Sequence, residues 1–249
     1  MDFLAFFRQN IPTLPEFLVG FPLFGAYAYA ALFCAGWLKT RRGVRTGYTR
    51  KIFHFLIFTT ASLIQAFFGL RLLCLFGIAT SAVIAYALLR GEGHLLYEAM
   101  AREKDAPHRT YFIITPYLAT LLGGILSNVL FGEAALAGYL VTGFGDAIGE
   151  PVGTRCGRHP YRVPSLFAVV TSTRTLEGST AVCIVSFLAL ALARVISPII
   201  AASPPSWLAL AGIALLCAAA EAVSPHGWDN LVLQLLPSGL LALLTSFQL

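Results

Sequence analysis

The stretch from Gly145 to Arg158 has the residue types and the spacing best suited to chemistry. Four glycines recur at every fourth position, and two carboxylates and two guanidiniums lie among or beside them. These residues are Gly145, Asp146, Gly149, Glu150, Gly153, Arg155, Gly157 and Arg158. A face that only packs in lipid would not carry four charged groups. Carboxylates that hold a metal ion, next to guanidiniums that bind phosphate oxygens, indicate magnesium-nucleotide chemistry.

A proline in the same stretch bears on how its glycines are used. Pro151 disfavours helical backbone at Glu150 and removes one helical hydrogen bond. A helix that breaks and restarts there would expose glycine N–H groups, and N–H groups near a helix start bind phosphate. The alternative is a bare glycine face that only packs against another helix.

A second cation and a second carboxylate follow in the segment Arg174, Thr175, Glu177, Gly178 and Ser179. Arg174 adds a guanidinium for phosphate, and Glu177 adds a carboxylate for a metal ion. The competing interpretation is an ordinary helix start, in which Ser179 caps the helix and Glu177 lies near its positive end.

A third group, Arg50, Lys51 and His54, opens an apolar run. Arg50 and Lys51 also fit a simple topology signal, because positive residues mark the cytoplasmic ends of membrane helices. His54 lies about one turn inside the run, where an ionisable side chain usually faces a cavity or a partner. We therefore expect His54 to orient a substrate hydroxyl or a phosphate.

A fourth group lies around a turn at Pro225 and Gly227. Glu221 is near the end of an apolar span, where an isolated carboxylate is costly, so it requires a cation or a metal partner. Asp229 and Asn230 follow the turn, and they either join this chemistry or only cap the next helix.

The composition defines the kind of protein that must position these groups. The chain has 249 residues, of which 57% are hydrophobic and only 12% are charged, and its formal net charge is +5. A soluble domain carries about 25% charged residues, and a disordered chain is poor in apolar residues, so both classes are excluded. Five scattered cysteines without CxxC spacing indicate neither a disulfide framework nor a zinc site.

Apolar runs broken by charge predict an all-α, polytopic transmembrane bundle of about eight spans, with seven to nine as the range. A bilayer needs about 20 apolar residues per helix, and the first run is expected to stay as a membrane helix. The spans lie near 17–37, 52–69, 72–89, 110–127, 129–145, 179–197, 206–222 and 230–247. Tight junctions at Gly69, at Ser127–Asn128 and at Ser203–Pro205 leave no room for outer domains, so residues 1–249 are expected to form a single membrane domain.

The polar segments predict the orientation of the chain. Fourteen of the seventeen Lys and Arg residues fall in three long connections, which the positive-inside rule places in the cytoplasm. Both termini are then expected on the opposite side. In this arrangement all the motif-bearing segments share the cytoplasmic face, and they are 39–54, 90–109, 145–179 and 221–230. This is typical of an enzyme that meets a soluble reactant at the membrane surface.

Together the four groups resemble the CTP-dependent lipid-alcohol kinases, which comprise dolichol kinase, phytol kinase and the CTP-using diacylglycerol kinase. The resemblance extends from Arg50 to Asn230. It rests on the Arg-Lys pair followed by His, on the glycine-aspartate element, on the basic-Thr-x-Glu-Gly-Ser element, and on the late Glu with its Asp-Asn pair. Two positions differ from the usual pattern, because Gly149 replaces Ala and Arg174 replaces Lys.

The resemblance implies transfer of the γ-phosphate of CTP to the hydroxyl of an isoprenoid alcohol or of diacylglycerol. It implies Mg²⁺ held by Asp146 and by Glu177 or Asp229, and a triphosphate neutralised by Lys51, Arg155, Arg158 and Arg174. The glycines and Ser179 would line the nucleotide site, and His54, Asp229 and Glu150 are the candidates for the general base. The expected partners are CTP, the lipid alcohol and the bilayer, with no nucleic acid.

Two other functions remain open at the level of sequence. The segment Pro225-His226-Gly227-Trp228-Asp229 loosely resembles part of the signature of CTP-dependent phosphatidate cytidylyltransferases, although the upstream Lys-Asp pair of that signature is absent. The other alternative is a small transporter or scaffold without catalytic activity, in which the polar loops only set the topology.

Overall fold

The computed structural model describes residues 3–163, 172–225 and 227–246. In these ranges the chain is mostly helical, with one two-stranded antiparallel hairpin. It divides into two compact units, an N-terminal unit of Met1–Ile114 and a C-terminal unit of Thr115–Leu249. The division concerns compactness alone, so the expectation of a single membrane domain stays a prediction.

The N-terminal unit is built on the long helix α2, which packs against three of its neighbours, α3, α4 and α5. Its helices are α1 (Phe3–Gln9), α2 (Leu14–Arg42), α3 (Thr46–Phe68), α4 (Leu70–Arg90) and α5 (Leu95–Glu98), followed by a 3-10 turn at Glu103–Asp105. A capping box fixes the start of α2, since the Thr13 N–H donates to the Glu16 carboxylate at 2.7 Å and the Thr13 hydroxyl accepts from the Glu16 N–H. Gly43 ends it at φ +66°, a conformation that favours glycine.

Half-buried charges join the end of α2 to the polar segment that follows α4. The Lys39 ammonium donates to the Glu98 carboxylate at 3.0 Å and to the backbone carbonyl of Ala101 at 2.9 Å. Arg109 donates to the same carboxylate at 2.7 Å. The segment 90–109, which is rich in charge, is therefore tied to α2 by an ion cluster in this unit.

The C-terminal unit holds most of the motif residues. Helix α6 (Tyr111–Phe131) begins just before the unit boundary, and a 3-10 turn at Gly132–Ala134 leads into α7 (Ala135–Leu140). The chain continues through a π-helix (Val141–Asp146), α8 (Ala147–Cys156), β1 (Pro160–Val163), β2 (Ser172–Thr175), α9 (Leu176–Ile196), α10 (Pro198–Ala202), α11 (Trp207–Val223) and α12 (Asp229–Ser246). Both α11 and the π-helix pack against α9 and α12.

The lengths and hydropathies of these helices agree with the predicted all-α polytopic membrane bundle. Among the described residues, six helical segments are long and apolar enough to cross a bilayer. One of them is the continuous 46-residue run Tyr111–Cys156, which contains two of the predicted spans. Helix α11 is a shorter apolar helix of 17 residues. The multi-pass class is thus confirmed, while the number eight and the sidedness of the loops stay predictions.

Two local predictions differ from the structure. The turn expected at Ser127–Asn128 lies at Gly132, where φ is +55°, because the Asn128 amide is buried in α6 and donates to the Gly124 carbonyl and the Tyr139 hydroxyl. The helix also runs through Pro151 without the expected restart, and the irregular backbone precedes it as the π-helix. The junctions at Gly69 and at Ser203–Pro205 are confirmed.

Candidate metal and phosphate site

Three carboxylates converge in the C-terminal unit, and we call them the acidic cluster: Asp146, Glu221 and Asp229. One oxygen from each lies within 4.8 Å of the others. All three residues are buried, with 5%, 7% and 9% of their surface exposed. Three carboxylates so close together in an apolar protein repel one another strongly unless cations accompany them.

Three different elements bring these carboxylates together. Asp146 is the last residue of the π-helix, Glu221 lies in the last turn of α11, and Asp229 is the first residue of α12. The turn at Gly227, where φ is +92°, joins α11 to α12 and lets the chain reverse between two of the acids. The cluster therefore depends on the tertiary packing of three separate elements and not on any local motif.

Arg174 on β2 is the cation that accompanies two of the acids. Its guanidinium pairs with the Glu221 carboxylate and also donates to the Glu221 carbonyl, while its other terminal nitrogen lies 3.2 Å from Asp229 Oδ2. Burial by itself would lower the pKa of Arg174, but the two carboxylates outweigh burial and raise it above its ordinary value. Arg174 is thus a permanent cation, and it is the partner that the sequence requires for Glu221.

The acidic cluster fits a magnesium ion in the chemistry of its donors. Mg²⁺ prefers oxygen ligands and is held in proteins by one or more carboxylates. The cluster offers three carboxylates with oxygens close enough to share one ion. Two of the predicted metal ligands, Asp146 and Asp229, lie in it, and the third carboxylate is Glu221.

Glu177, the other predicted metal ligand, lies outside the cluster. Its carboxylate bonds to the ring Nδ1 of His159 at 2.7 Å and accepts from the backbone N–H of His159 at 3.3 Å. The Tyr161 and Ser179 hydroxyls are 2.6 Å apart nearby. These contacts join the start of β1 to the first turn of α9, so Glu177 fixes the hairpin that carries Arg174.

Thr175 and Gly178 form the helix start that was the competing interpretation of this segment. The Thr175 hydroxyl accepts from the Gly178 N–H at 3.1 Å and caps α9. The cap residue directly follows Arg174, so the backbone of Arg174 is fixed by the strand before it and by the helix cap after it. The predicted capping role of Ser179 thus belongs to Thr175.

The glycine stripe packs against α9. A Cβ at Gly149 would lie 2.8 Å from Val182 Cγ2, and one at Gly153 would lie 2.9 Å from the Thr175 hydroxyl. Gly178 lies on α9 opposite the stripe, and a Cβ there would lie 2.9 Å from the Gly149 carbonyl oxygen. Gly145 and Gly157 continue the same contact line, toward Ser186 and Thr175. Of the two interpretations of the stripe, these contacts support helix packing.

The remaining predicted residues of this unit have different environments. Arg155 and Arg158 are exposed, and Glu150 is half-buried. Asn230 is buried, and its amide donates to the Thr120 hydroxyl at 2.8 Å, which ties the start of α12 to α6. The two exposed guanidiniums are accessible from water, as a soluble phosphate ligand requires.

Arg50, Lys51 and His54 belong to the N-terminal unit and lie in the first turns of α3. Lys51 is buried with 9% exposed, whereas the imidazole of His54 is half-buried with its centroid 4.5 Å from that of Phe58. The roles implied for these three residues by the resemblance stay predictions.

Two contacts near the site have no visible signal in the sequence. The bond between His159 and Glu177 and the one between Tyr161 and Ser179 each join residues 18 positions apart. Both depend on the register of the hairpin, in which Tyr161 pairs with Arg174. The strand at 160–163 has only four residues, so its pattern of polar and apolar side chains is too short to predict that register.

Comparisons of the chain with protein-family models, with curated proteins and with solved structures give no match.

Proposed function

We propose that the protein is a membrane lipid kinase that transfers the γ-phosphate of CTP to the hydroxyl of a lipid alcohol. The observation that carries the proposal is the acidic cluster with its half-buried Arg174, which three elements of an apolar bundle bring together. Phosphoryl transfer needs metal-binding carboxylates and phosphate-binding cations at one place. The preference for CTP and for an isoprenoid alcohol or diacylglycerol rests on the motif resemblance.

Asp146, Glu221 and Asp229 are the residues that would hold Mg²⁺. When bound, the ion would neutralise charge on the phosphate oxygens and orient them. This assignment replaces Glu177 with Glu221, because Glu177 bonds to His159 away from the cluster. Glu177 then acts as a positioning residue through the hairpin.

The cations of the C-terminal unit have separate tasks. Arg174 provides a planar fork that suits bidentate contact with phosphate oxygens. Arg155 and Arg158 are exposed and attract the nucleotide from water. Charge neutralisation and positioning of this kind supply most of the catalysis in phosphoryl transfer.

The transfer needs no reactant other than CTP and the lipid alcohol. The alcohol oxygen forms a bond to the γ-phosphorus, the bond from that phosphorus to the β–γ bridging oxygen breaks, and CDP leaves. The alcohol proton passes to a general base, for which His54, Asp229 and Glu150 are the candidates.

The test uses purified protein in detergent with Mg²⁺, a panel of lipid alcohols and phosphatidate. CTP is labelled in one set at the γ-phosphorus and in another at the α-phosphorus. We expect γ-label in a lipid alcohol and no α-label in any lipid. Transfer of α-label to phosphatidate would overturn the proposal in favour of a cytidylyltransferase, and no transfer of either label would overturn it in favour of a transporter or scaffold.

A further inference from the structure

Arg174 occupies the same carboxylates that a metal ion would use. Its guanidinium is paired with Glu221 and Asp229, and its side chain is only 14% exposed. A carboxylate oxygen that accepts from a guanidinium has one lone pair fewer to offer a metal ion, and the guanidinium fills part of the space around that oxygen. A divalent ion in the acidic cluster therefore competes with Arg174 for the oxygens of Glu221 and Asp229 and for the space beside them.

Electrostatics favours the departure of Arg174 once an ion is present. A divalent cation within bonding distance of Asp146, Glu221 and Asp229 would also be close to the guanidinium. Like charges at such distances in a buried site repel more strongly than they would in water. The metal thus removes the attraction that holds Arg174 and adds a repulsion.

The surroundings of Arg174 allow its side chain to move while its backbone stays in place. The backbone is paired with Tyr161 in the hairpin and is followed by the Thr175 cap of α9. An arginine side chain has several rotatable bonds, and its fork binds phosphate oxygens as readily as carboxylate oxygens. A phosphate brought in with the metal offers the guanidinium a new partner at short range.

We propose that Arg174 is a placeholder cation. It holds Glu221 and Asp229 together while the cluster has no metal, and it transfers to the phosphate when the metal-nucleotide arrives. The identity of that phosphate rests on the proposed function, whereas the exchange between guanidinium and metal does not. The exchange keeps three buried carboxylates accompanied by positive charge in both states.

The first test uses the unaltered protein, an arginine-specific dicarbonyl reagent and mass spectrometry of the modified peptides. Mn²⁺ alone serves as the probe, and Arg162, an exposed residue of β1, is the internal control. We expect Mn²⁺ to raise the modification rate of Arg174 severalfold and to leave that of Arg162 unchanged. Further addition of CTP is expected to suppress the rate at Arg174 again.

The second test measures Mn²⁺ binding directly by electron paramagnetic resonance without nucleotide. We expect Arg174→Gln to bind Mn²⁺ about tenfold more tightly than the unaltered protein, because a competing charge has been removed. Arg174→Lys keeps the charge and is expected to stay near the unaltered affinity. Arg162→Gln removes an arginine from the same hairpin and is the matched control.

The outcomes separate this inference from the proposed function. An unchanged Arg174 modification rate under saturating Mn²⁺, or an unchanged or weaker Mn²⁺ affinity in Arg174→Gln, overturns the placeholder role even if γ-label reaches a lipid alcohol. If the exchange occurs but neither label is transferred, the placeholder role stands and the kinase proposal fails. If Arg174→Gln does not fold, the modification test on the unaltered protein decides.

Discussion

Under the proposed kinase function, Asp146 is the residue on which catalysis should depend most, since it brings a carboxylate from the π-helix to the cluster. We expect Asp146→Asn to lower the rate of lipid phosphorylation by at least about a hundredfold, as loss of one charge-stabilising group does elsewhere. The measurement is γ-label transfer at saturating Mg²⁺. Glu133→Gln, which neutralises an exposed carboxylate, is the control and should keep the full rate. An active Asp146→Asn protein would contradict the assignment.

Separate substitutions of Glu221 and Glu177 distinguish a residue that binds the metal ion from one that positions the hairpin. We expect Glu221→Gln to weaken Mn²⁺ binding, because it removes a charged ligand from the cluster. Glu177→Gln should leave Mn²⁺ affinity nearly unchanged and should instead loosen the hairpin that its bond to His159 fixes. Mn²⁺ titration combined with proteolysis of the 157–175 segment measures both effects. The reverse result, with Glu177 controlling metal affinity, would restore the assignment made from sequence.

At the scale of elements, the close approach of α8 and α9 sets the position of the hairpin and of Arg174. We expect Gly178→Ala to destabilise the C-terminal unit, since the new Cβ would lie 2.9 Å from the Gly149 carbonyl oxygen and neither backbone can easily yield. The cost is about 1 to 3 kcal/mol, the usual range for an overpacked contact. Thermal unfolding in detergent measures it.

Gly212→Ala is the matched control for that change. Gly212 also lies inside an apolar helix, α11, but a Cβ there meets nothing within 4 Å. This substitution should be neutral or slightly stabilising, because alanine favours helix. Equal losses in the two variants would contradict the packing explanation of the stripe.

The ion cluster of the N-terminal unit predicts a pH-dependent stability. Burial would raise the pKa of Glu98, but hydrogen bonds from Arg109, the Gly93 N–H and Lys39 outweigh burial and lower it from 4.5 to about 2. A carboxyl with a lowered pKa stabilises the fold above its unfolded pKa. That stabilisation is lost as the pH falls from about 4.5 toward 2.

Glu98→Gln tests this interpretation. We expect it to lower the free energy of unfolding near neutral pH by about 2 kcal/mol, the usual worth of hydrogen bonds to charged groups. The deficit relative to the unaltered protein should shrink as the pH falls below about 4.5. Glu103→Gln also removes a partner of Lys39, but Glu103 is 72% exposed, so its effect should be small. A deficit that does not change with pH would contradict the charge-based explanation.

The sequence predicts those features of the site that are set by residues close together in the chain, and it does not predict those that depend on tertiary packing. The apolar runs predict the helices because burial in lipid is a property of each run, and the carboxylate at Glu221 predicts a cation partner for the same reason. The choice of Glu221 over Glu177 is not predictable, because it depends on how the ends of α11 and α12 pack. The turn at Gly132 was missed because an asparagine buried by Tyr139 resembles a loop residue in sequence.

At the scale of the whole molecule, the distribution of positive charge predicts the sidedness of the membrane protein. We expect Cys156, which is exposed at the end of α8, to face the cytoplasm. A variant in which the other four cysteines are replaced by alanine should react with a membrane-impermeant maleimide in inverted vesicles and not in intact cells. Labelling in intact cells would invert the predicted topology.

The π-helix that ends at Asp146 has a consequence for deletions. Each residue of a regular α-helix advances the chain by about 100° around its axis, and a π turn holds one residue more than an α turn. Removing a single residue from Val141–Asp146 would restore regular α winding, and five residues wound as α turn the chain through about the same angle as six wound as π, so the glycines of α8 would still face α9. The π turn is thus the place in this helical run where loss of one residue is best accommodated, whereas a deletion within α8 itself would turn the residues after it by about 100°.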